Sequence, residues 1–432
     1  MSAGVTRTKV LTILAVPLVA GAALLAFRAD SPASPTYHAD VLPILQSRCQ
    51  DCHRENGLDL GGMVAPQSFT SYEETREWGP LMVFQLEAGR MPPWHASGDF
   101  LGHFSNERYI SETEVATIRD WVVAGSPEGD PAEAPDARIF ESERSGGWAI
   151  GEPDLIVRFP EPYLVLDEVE DEYVDIEVEI PAELLPEDRW VKAVEFHPGS
   201  PTVHHIIARP IGGIAPGYEH REYPDGYSRL LRKGTTVTFQ MHYHKEAGPG
   251  SAEEIMTEAG IKFYEPGAEI RHVMESESLG LWRFEIPAGA PNYCYDRDFT
   301  FERDVQILRF NPHMHLRGKS AYYEARLPDG TVRPLLDVPA YDFQWQHDYW
   351  LRDPLEVPAG TDIYFRACWD NSADNPSNPD ATRAVRWGRP TTDEMGFGFM
   401  GFTESEPRSI IVGDPIPDDL PAARPLFSPG DR

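Results

Sequence analysis

From residue 153 onward, the chain consists of short runs of alternating apolar and polar residues, separated by proline and glycine. Alternation with a period of two is typical of half-buried β-strands, and proline and glycine favour turns between them. A second series of such runs begins near residue 279. The pattern predicts two antiparallel β-sandwich domains, at residues 153–278 and 279–415. The first runs are residues 155–159, 173–178 and 190–196.

Residues 36–130 have helical rather than strand periodicity and contain a Cys-x-x-Cys-His motif. The apolar positions of residues 38–48 recur as on one face of a helix, which leads directly into Cys49, Cys52 and His53. In this motif two thiols add to the vinyl groups of a haem, and the histidine binds the iron. A redox disulfide or half a zinc site is the alternative, but neither needs the histidine. We therefore predict an α-helical cytochrome c-like domain with one covalently attached haem c.

A haem c usually has a second axial ligand, and Met91 is the residue we favour for it. The two prolines after Met91 fix an extended loop that could hold the sulfur at the iron. At the end of the same segment, Ser111 and Glu114 predict a capping box that begins a helix. Residues 131–152, rich in proline, glycine and acidic residues, are predicted to be a linker. The rivals of Met91 are Met63, Met82, His95 and His103.

An uncharged apolar run occupies residues 10–27, after Arg7 and Lys9. Such a run is a secretory signal or a membrane anchor, and its length fits either. The residues that follow make poor cleavage sites, so we favour an uncleaved anchor within residues 1–35. In either case we expect an exported body, periplasmic or anchored facing the periplasm or the extracellular side, where disulfides and covalent haem are tolerated. Residues 416–432 are expected to be a tail.

The net charge limits the partners of the chain. It has 70 acidic and 38 basic residues, which give a formal charge of −32. This charge repels phosphate backbones and anionic lipid surfaces, so we expect no nucleic-acid partner.

Six histidines form three close pairs in the predicted strands. Histidines one residue apart lie on the same face of a strand, whereas adjacent ones face opposite sides unless the strand is bulged. Met395 offers a sulfur ligand as well. Imidazoles with a thioether form a soft set that accepts Cu(I) and tolerates Cu(II), which favours copper over zinc. The pairs are His204 with His205, His242 with His244, and His313 with His315.

The two cysteines outside the haem motif are Cys294 and Cys368. A structural zinc site is usually a closed tetrahedral set, often with thiolates, and these two cysteines alone do not supply one. Because we expect an exported chain, we predict that they pair as a disulfide within the second sandwich.

Four short motifs in order resemble the copper type II, ascorbate-dependent monooxygenases, which include the peptidylglycine-hydroxylating and dopamine β-type enzymes. The resemblance covers roughly residues 150–415 and implies two stacked jelly-roll-like domains with one copper each, facing one another across a solvent-filled cleft. The motifs are Thr202-Val203-His204-His205, Gln240-Met241-His242, the residues from Pro312 to Lys319, and Thr392-Asp393-Glu394-Met395.

The resemblance also implies a role for each ligand. His204, His205 and His242 would hold a first copper that stores and passes an electron. His313, His315 and Met395 would hold a second copper, where dioxygen binds and a substrate C–H bond is hydroxylated. Gln240 matches a glutamine near the first copper. His244 has no family role and is interpreted as structural or outer-shell. Glu394 is interpreted as a strand-edge carboxylate rather than an outer-shell residue of the second copper.

Three departures from the family concern the substrate. Asn311 replaces the arginine by which peptide-amidating members hold a carboxylate. Phe399 stands in place of a tyrosine and Gly396 in place of a cysteine. Peptide C-termini are therefore not the expected substrate.

Together these features predict a copper monooxygenase that hydroxylates an unknown small molecule. Its electrons would come from ascorbate or a redox protein, and we expect them to pass through the fused haem to the His204, His205 and His242 copper. The alternative is a non-catalytic, exported haem and copper protein that transfers electrons or binds copper. Sandwiches that merely bind a partner are a third possibility.

Overall fold

The structure, a computed structural model, describes residues 34–421 and is mainly β. Strands make up 36% of the described residues and helices 13%. The predicted fold class, an α-helical cytochrome c-like domain followed by two antiparallel sandwiches, is therefore wrong. The described residues 35–421 form one compact unit rather than a helical domain joined to sheets. The α-helices of the described residues are α1 (Leu42–Arg48), α2 (Tyr72–Glu87), α3 (Glu112–Val123) and α4 (Glu141–Arg144).

Glycine and proline explain why the first segment contains so little helix. Residues 49–71 and 88–111 contain no α-helix, since glycine lowers helix stability and proline interrupts the backbone hydrogen bonding of a helix. The second of these stretches instead packs on the sheets. Phe104 is fully buried in the core of a β-sheet pair, and the Ser97 amide donates to the Asp337 carbonyl (2.7 Å).

The helices that do form have clear local signals. The capping box predicted at Ser111 and Glu114 is confirmed at the start of α3, and Ser71 and Glu74 form a second one at the start of α2. A π-helical turn, Tyr37–Val41, precedes α1. The helices share a small apolar core. Its fully buried members include Tyr37, Val41, Leu45, Ile118 and Trp121.

Twenty-four strands are described. Those before residue 274 are β1 (Leu155–Arg158), β2 (Tyr163–Val165), β3 (Asp171–Glu179), β4 (Arg189–His197), β5 (Val203–Arg209), β6 (Gly212–Ile214), β7 (Arg221–Glu222), β8 (Tyr227–Leu231), β9 (Thr236–His244), β10 (Glu253–Ile255), β11 (Glu258–Phe263), β12 (Glu269–Ile270) and β13 (His272–Val273). Those that follow are β14 (Glu275–Gly280), β15 (Glu285–Ile286), β16 (Tyr293–Thr300), β17 (Val305–Met314), β18 (Gly318–Arg326), β19 (Val332–Val338), β20 (Tyr349–Val357), β21 (Asp362–Trp369), β22 (Val385–Arg386), β23 (Gly396–Glu404) and β24 (Ile410–Ile411).

One pair of sheets encloses the core nearer the N-terminus. One sheet has the order β1-β11-β4-β8-β13, with β7 also paired to β4, and the other has the order β3-β9-β5-β6. β13 pairs with β8 in parallel, so this part is not purely antiparallel. Phe159 and Phe239 pack edge to face in the core, with ring centroids 5.3 Å apart.

A second pair of sheets encloses a core of similar size. Its sheets have the orders β14-β23-β17-β20 and β16-β21-β18-β19. Phe310, Tyr323 and Phe365 are fully buried between them. Cys294 on β16 lies opposite Cys368 on β21, and the two form a disulfide with an S–S distance of 2.06 Å.

The remaining predicted segments are only partly described. Residues 131–152, expected to be a linker, carry α4 and place Trp148 in face-to-face contact with His197, with ring centroids 3.7 Å apart. The predicted signal or anchor at residues 10–27 lies outside the described residues, as does the end of the predicted tail. Across residues 34–421 we find no helix that is both long and apolar enough to span a membrane.

Candidate metal sites

Strands β5 and β9 bring three histidines together. His205 lies opposite His242 in the antiparallel register, and the register shifts between Val203 and His205. This irregularity lets the adjacent residues His204 and His205 turn toward the same side, which a regular strand forbids. One ligand atom from each of His204, His205 and His242 lies within 4.8 Å of the other two.

The nitrogen atoms of this trio fit a bound cation. Neither ring nitrogen of His204 has a hydrogen-bond partner among the described residues. His242 Nε2 contacts the Asp171 carboxylate, and His242 Nδ1 lies 3.3 Å from His205 Nδ1. A histidine that gives one nitrogen to a carboxylate presents the other to a metal in a fixed orientation. Burial, together with the neighbouring imidazoles, lowers the pKa of His204 to about 3, which leaves a free lone pair at neutral pH.

Strand β3 supplies two residues of this site that sequence reasoning missed. Tyr173 stacks on His242, with ring centroids 4.1 Å apart, and Asp171 contacts the same imidazole. The pairing of β3 with β9 explains both contacts, because it places Tyr173 opposite His242. His244, half exposed, lies beside Asp171 but outside the trio. Only knowledge of the strand pairing could have identified these partners.

The second pair of histidines lies at the end of β17. His313 Nδ1 donates to Gln346 Oε1 (2.6 Å), and His315 Nδ1 donates to the Asp393 carbonyl (3.3 Å). Each ring therefore keeps its Nε2 available for a metal, in the arrangement that outer-shell partners usually impose. Burial lowers the pKa of His313 to about 4 and that of His315 well below the usual range.

Glu394 joins Met395 to this histidine pair. Its buried carboxylate accepts from the backbone amides of His315 (3.0 Å) and Met395 (3.3 Å). The same carboxylate accepts from the Arg317 amide (2.7 Å) and from Trp369 Nε1 (3.1 Å). These bonds hold the backbone of Met395 near that of His315, and the His313 and His315 rings lie with centroids 5.4 Å apart; Met395 as the third ligand stays a prediction.

The electrostatics at Glu394 have two opposing parts. Burial raises the pKa of its carboxyl to about 8, although the hydrogen bonds from Arg317 and His315 act in the opposite direction. Both Glu394 and the Arg317 side chain are fully buried, with charged atoms 4.0 Å apart. Arg317 also donates to the Asn371 side chain (2.9 Å) and to the Thr392 carbonyl (3.0 Å).

The side chain of Phe343 contacts both histidine sets. Its ring stacks on His204 with centroids 4.6 Å apart and meets His315 edge-on at 6.1 Å. The sets also influence each other electrostatically, because His204 and His242 help to lower the pKa of His315. An aromatic ring thus lies where the family resemblance implied a solvent-filled cleft.

The haem motif follows the end of α1. The His53 amide donates to the Cys49 carbonyl (2.8 Å), which makes the motif a compact turn. His53 Nδ1 donates to the Gln67 carbonyl (3.1 Å) and its ring stacks on Phe69 at 4.5 Å. Its Nε2 is thereby left for an iron atom, as in other histidine ligands.

The thiols of the motif are free and partly buried. Burial raises the pKa of Cys49 to about 12, and a thioether to a haem would suit this apolar setting better than a thiolate. Cys49 and Met91 border the same small helical core, whereas the rival His95 lies beside His347 with ring centroids 5.4 Å apart. The residues present fit a haem c, and Met91 as its second ligand stays a prediction.

Asn311 occupies the position where peptide-amidating enzymes have arginine. It is 2% exposed, its Oδ1 accepts from the Tyr218 hydroxyl, and its Nδ2 donates to the His347 carbonyl (2.8 Å). Both ends of the amide are engaged, so Asn311 holds neighbouring chain segments together and has no free group for a substrate carboxylate.

Comparisons with known proteins do not place the chain in a family. No family model matches the sequence, and no curated protein matches it. The chain is similar to the major capsid protein P2 of bacteriophage PM2 at 5% identity and a TM-score of 0.25, over 58% of this chain and 97% of that one. It is similar to the infectious bursal disease virus VP2 subviral particle at 9% identity and a TM-score of 0.16, over 58% of this chain and 71% of that one. It is also similar to a Paenibacillus xanthan lyase at 11% identity and a TM-score of 0.16, over 65% of this chain and 28% of that one. These TM-scores are too low to support a conclusion about fold or function.

We expect the metal-free protein to lose stability as the pH falls from 7 to 5. The folded-state pKa values of His204 and His313 lie near 3 and 4, below the usual value of about 6.5. In that window the unfolded chain binds protons that the folded chain does not, so stability falls with pH. Thermal melts at both pH values measure the drop, and a His204→Leu variant should show a smaller one. Equal drops in the two proteins would contradict the assignment.

Proposed function

We propose that this protein is a copper-dependent monooxygenase that hydroxylates a C–H bond of a small molecule, using dioxygen and electrons supplied through a covalently attached haem. The observation that carries the proposal is the pair of histidine sets on either side of Phe343. One histidine of each set is held by an outer-shell group, namely His242 by Asp171 and His313 by Gln346. Such outer-shell contacts orient ligands that would otherwise rotate.

Copper, when bound, would supply electron transfer at His204, His205 and His242, and dioxygen activation at His313, His315 and Met395. Histidine with thioether sulfur supports the Cu(I) and Cu(II) states that this chemistry needs. The chain's own residues orient the ligands and exclude water. Phe343 and Tyr173 cover His204 and His242 with aromatic rings, and Glu394 holds the backbone of His315 and Met395.

The surroundings of the second set favour an uncharged substrate. Phe397 lies beside His313, with ring centroids 6.3 Å apart, and stacks on Phe399 at 5.3 Å. With Asn311 engaged by Tyr218 and the His347 carbonyl, the polar group that would pair with a carboxylate is missing at this position. We therefore propose a small molecule rather than a peptide C-terminus as the substrate.

The experiment combines a cofactor count with isotope labelling. We expect two copper ions and one haem per chain, and incorporation of one atom of labelled dioxygen into product from a panel of small apolar compounds. Ascorbate and a reduced redox protein would be compared as reductants. Two coppers and one haem without labelled product from any compound would favour the electron-transfer protein instead. Fewer than about one copper per chain after reconstitution would contradict both readings, since both require bound copper, and would favour sandwiches that merely bind a partner.

A further inference from the structure

The loop after the haem motif is bonded both to the motif and to the sheets. The Leu58 amide donates to the Asp51 carbonyl (2.8 Å), inside the motif. Two residues later, the Leu60 carbonyl accepts from the Gly217 amide (2.7 Å), in the loop between β6 and β7. A continuous series of covalent and hydrogen bonds therefore leads from the haem attachment site to Gly217.

Two glycines make this contact unusually close. Gly61 has a φ of +67°, and a Cβ at this position would lie 2.0 Å from the Ala215 carbonyl oxygen. Gly217 has a φ of +94°, and a Cβ there would lie 3.0 Å from the Gln346 amide nitrogen. Any other residue would clash or be strained at both positions. The backbone of the loop of residues 57–62 thus packs against the backbone of residues 215–217, which in turn contacts Gln346.

The bonded series continues from this loop to a predicted copper ligand. The Pro216 carbonyl accepts from the Gln346 amide (2.7 Å). The side chain of Gln346 then accepts from His313 Nδ1 (2.6 Å). His347 Nδ1 makes a further contact with the Gly217 carbonyl, at 3.3 Å.

A second group of contacts leads to the same strand. Arg108 pairs with Glu219 in the loop between β6 and β7. Next to Glu219, the Tyr218 hydroxyl donates to Asn311 Oδ1, two residues before His313. The loop that contacts residues 57–62 is therefore also bonded to the histidine end of β17.

The loop of residues 57–62 is less well connected to the His204, His205 and His242 set. A Cβ at Gly62 would lie 3.3 Å from the Val203 carbonyl oxygen, next to His204. Within residues 34–421 we find no hydrogen bond from the loop of residues 57–62 to β5. A gap crossed through space couples a donor and an acceptor of electrons less well than a bonded route.

We propose that residues 215–217 and Gln346 form the electron route from the haem motif to the His313, His315 and Met395 set, so that electrons enter there and not at His204, His205 and His242. The inference rests on the proposed cofactors. One electron leaves a ferrous haem, which becomes ferric, and reduces one Cu(II) to Cu(I).

Variants that keep one histidine set test the entry point. His242→Ala removes the first set and His315→Ala the second. Under anaerobic conditions and without substrate, a light pulse with a photoreductant reduces the haem, and its reoxidation is followed by absorbance while Cu(II) is followed by electron paramagnetic resonance. We expect a fast phase of haem reoxidation in His242→Ala and its loss in His315→Ala. The reverse result would overturn the inference.

Gln346→Leu tests the route itself, and Gln344→Leu is a matched control, because Gln344 lies exposed in the same loop. Rates are normalised to the Cu(II) signal of the second set. Outer-shell partners change the affinity or activity of a metal site by about 10 to 100-fold. We expect Gln346→Leu to slow the fast phase by about tenfold, and Gln346→Glu to restore most of it. An unchanged rate in Gln346→Leu would contradict the route.

These outcomes are separate from those of the proposed function. The electron-transfer measurement needs neither dioxygen nor product, so the route can stand in a protein that hydroxylates nothing. Conversely, labelled product together with an unchanged rate of haem reoxidation in Gln346→Leu would contradict the route and still support the monooxygenase.

Discussion

Replacing His315 by alanine is expected to abolish oxygen-dependent product formation and to remove one of the two coppers. His315 is buried, and its Nδ1 is held by the Asp393 carbonyl (3.3 Å), which leaves Nε2 available for a metal. The loss of an outer-shell partner alone costs about 10 to 100-fold in affinity or activity. We therefore expect the loss of the ligand itself to lower the rate by more than about 100-fold. Product is measured by isotope labelling and copper by elemental analysis.

His244→Ala is the control for this variant. His244 is half exposed and lies outside the His204, His205 and His242 trio, although it approaches Asp171 to 3.7 Å. It should retain both coppers and most of the activity. His242→Ala should also lose activity, but it should lose the copper of the first set. Full activity in His315→Ala, with one copper bound, would contradict the assignment of the oxygen-activating site.

Glu394→Ala is expected to cause the largest loss of stability. Its carboxylate and the Arg317 guanidinium are both fully buried, 4.0 Å apart. Burial raises the pKa of this carboxyl to about 8, so the loss comes mainly from buried donors that lose this acceptor, such as Trp369 Nε1, at about 1–3 kcal/mol each. The amides of His315 and Arg317 would lose their acceptor as well. The measurements are the urea midpoint of unfolding and the copper content of the second set.

The Glu394→Gln variant tests whether stability depends on the charge of this side chain or only on its shape. The amide keeps the volume and one oxygen acceptor, but its NH2 group faces donors such as Trp369 Nε1. Arg317 would keep its bonds to Asn371 and the Thr392 carbonyl, so we expect a smaller loss than in Glu394→Ala. Urea midpoints that are equal in the wild type and Glu394→Ala would show that this carboxylate does not support the site.

The prediction of a separate helical domain was wrong for an identifiable reason. Helical periodicity is real over α2 and α3, and the Ser111 cap is confirmed. We extended that local signal across stretches interrupted by glycine and proline. Trp94 and Phe104 then pack with Tyr349 on the second sheet pair, with ring centroids 5.0 to 5.8 Å apart. Local periodicity carries no information about which distant surface an aromatic residue will cover.

The sequence by itself identified the residue types and spacings that local chemistry requires. These are the haem motif at Cys49, Cys52 and His53, the close histidine pairs, and the alternation that predicts strands. It also predicted the pairing of Cys294 with Cys368, which the structure contains. All of these depend on residues near one another in the chain or on simple counting.

Only the tertiary structure decided which groups surround those residues. The register shift before His205, the placement of Asp171 against His242, and the contact of Phe343 with both histidine sets all join segments far apart in the sequence. So do the bonds from the haem loop through Gly217 to Gln346. Strand register and loop packing set these contacts through long-range burial, and one sequence read locally does not contain them.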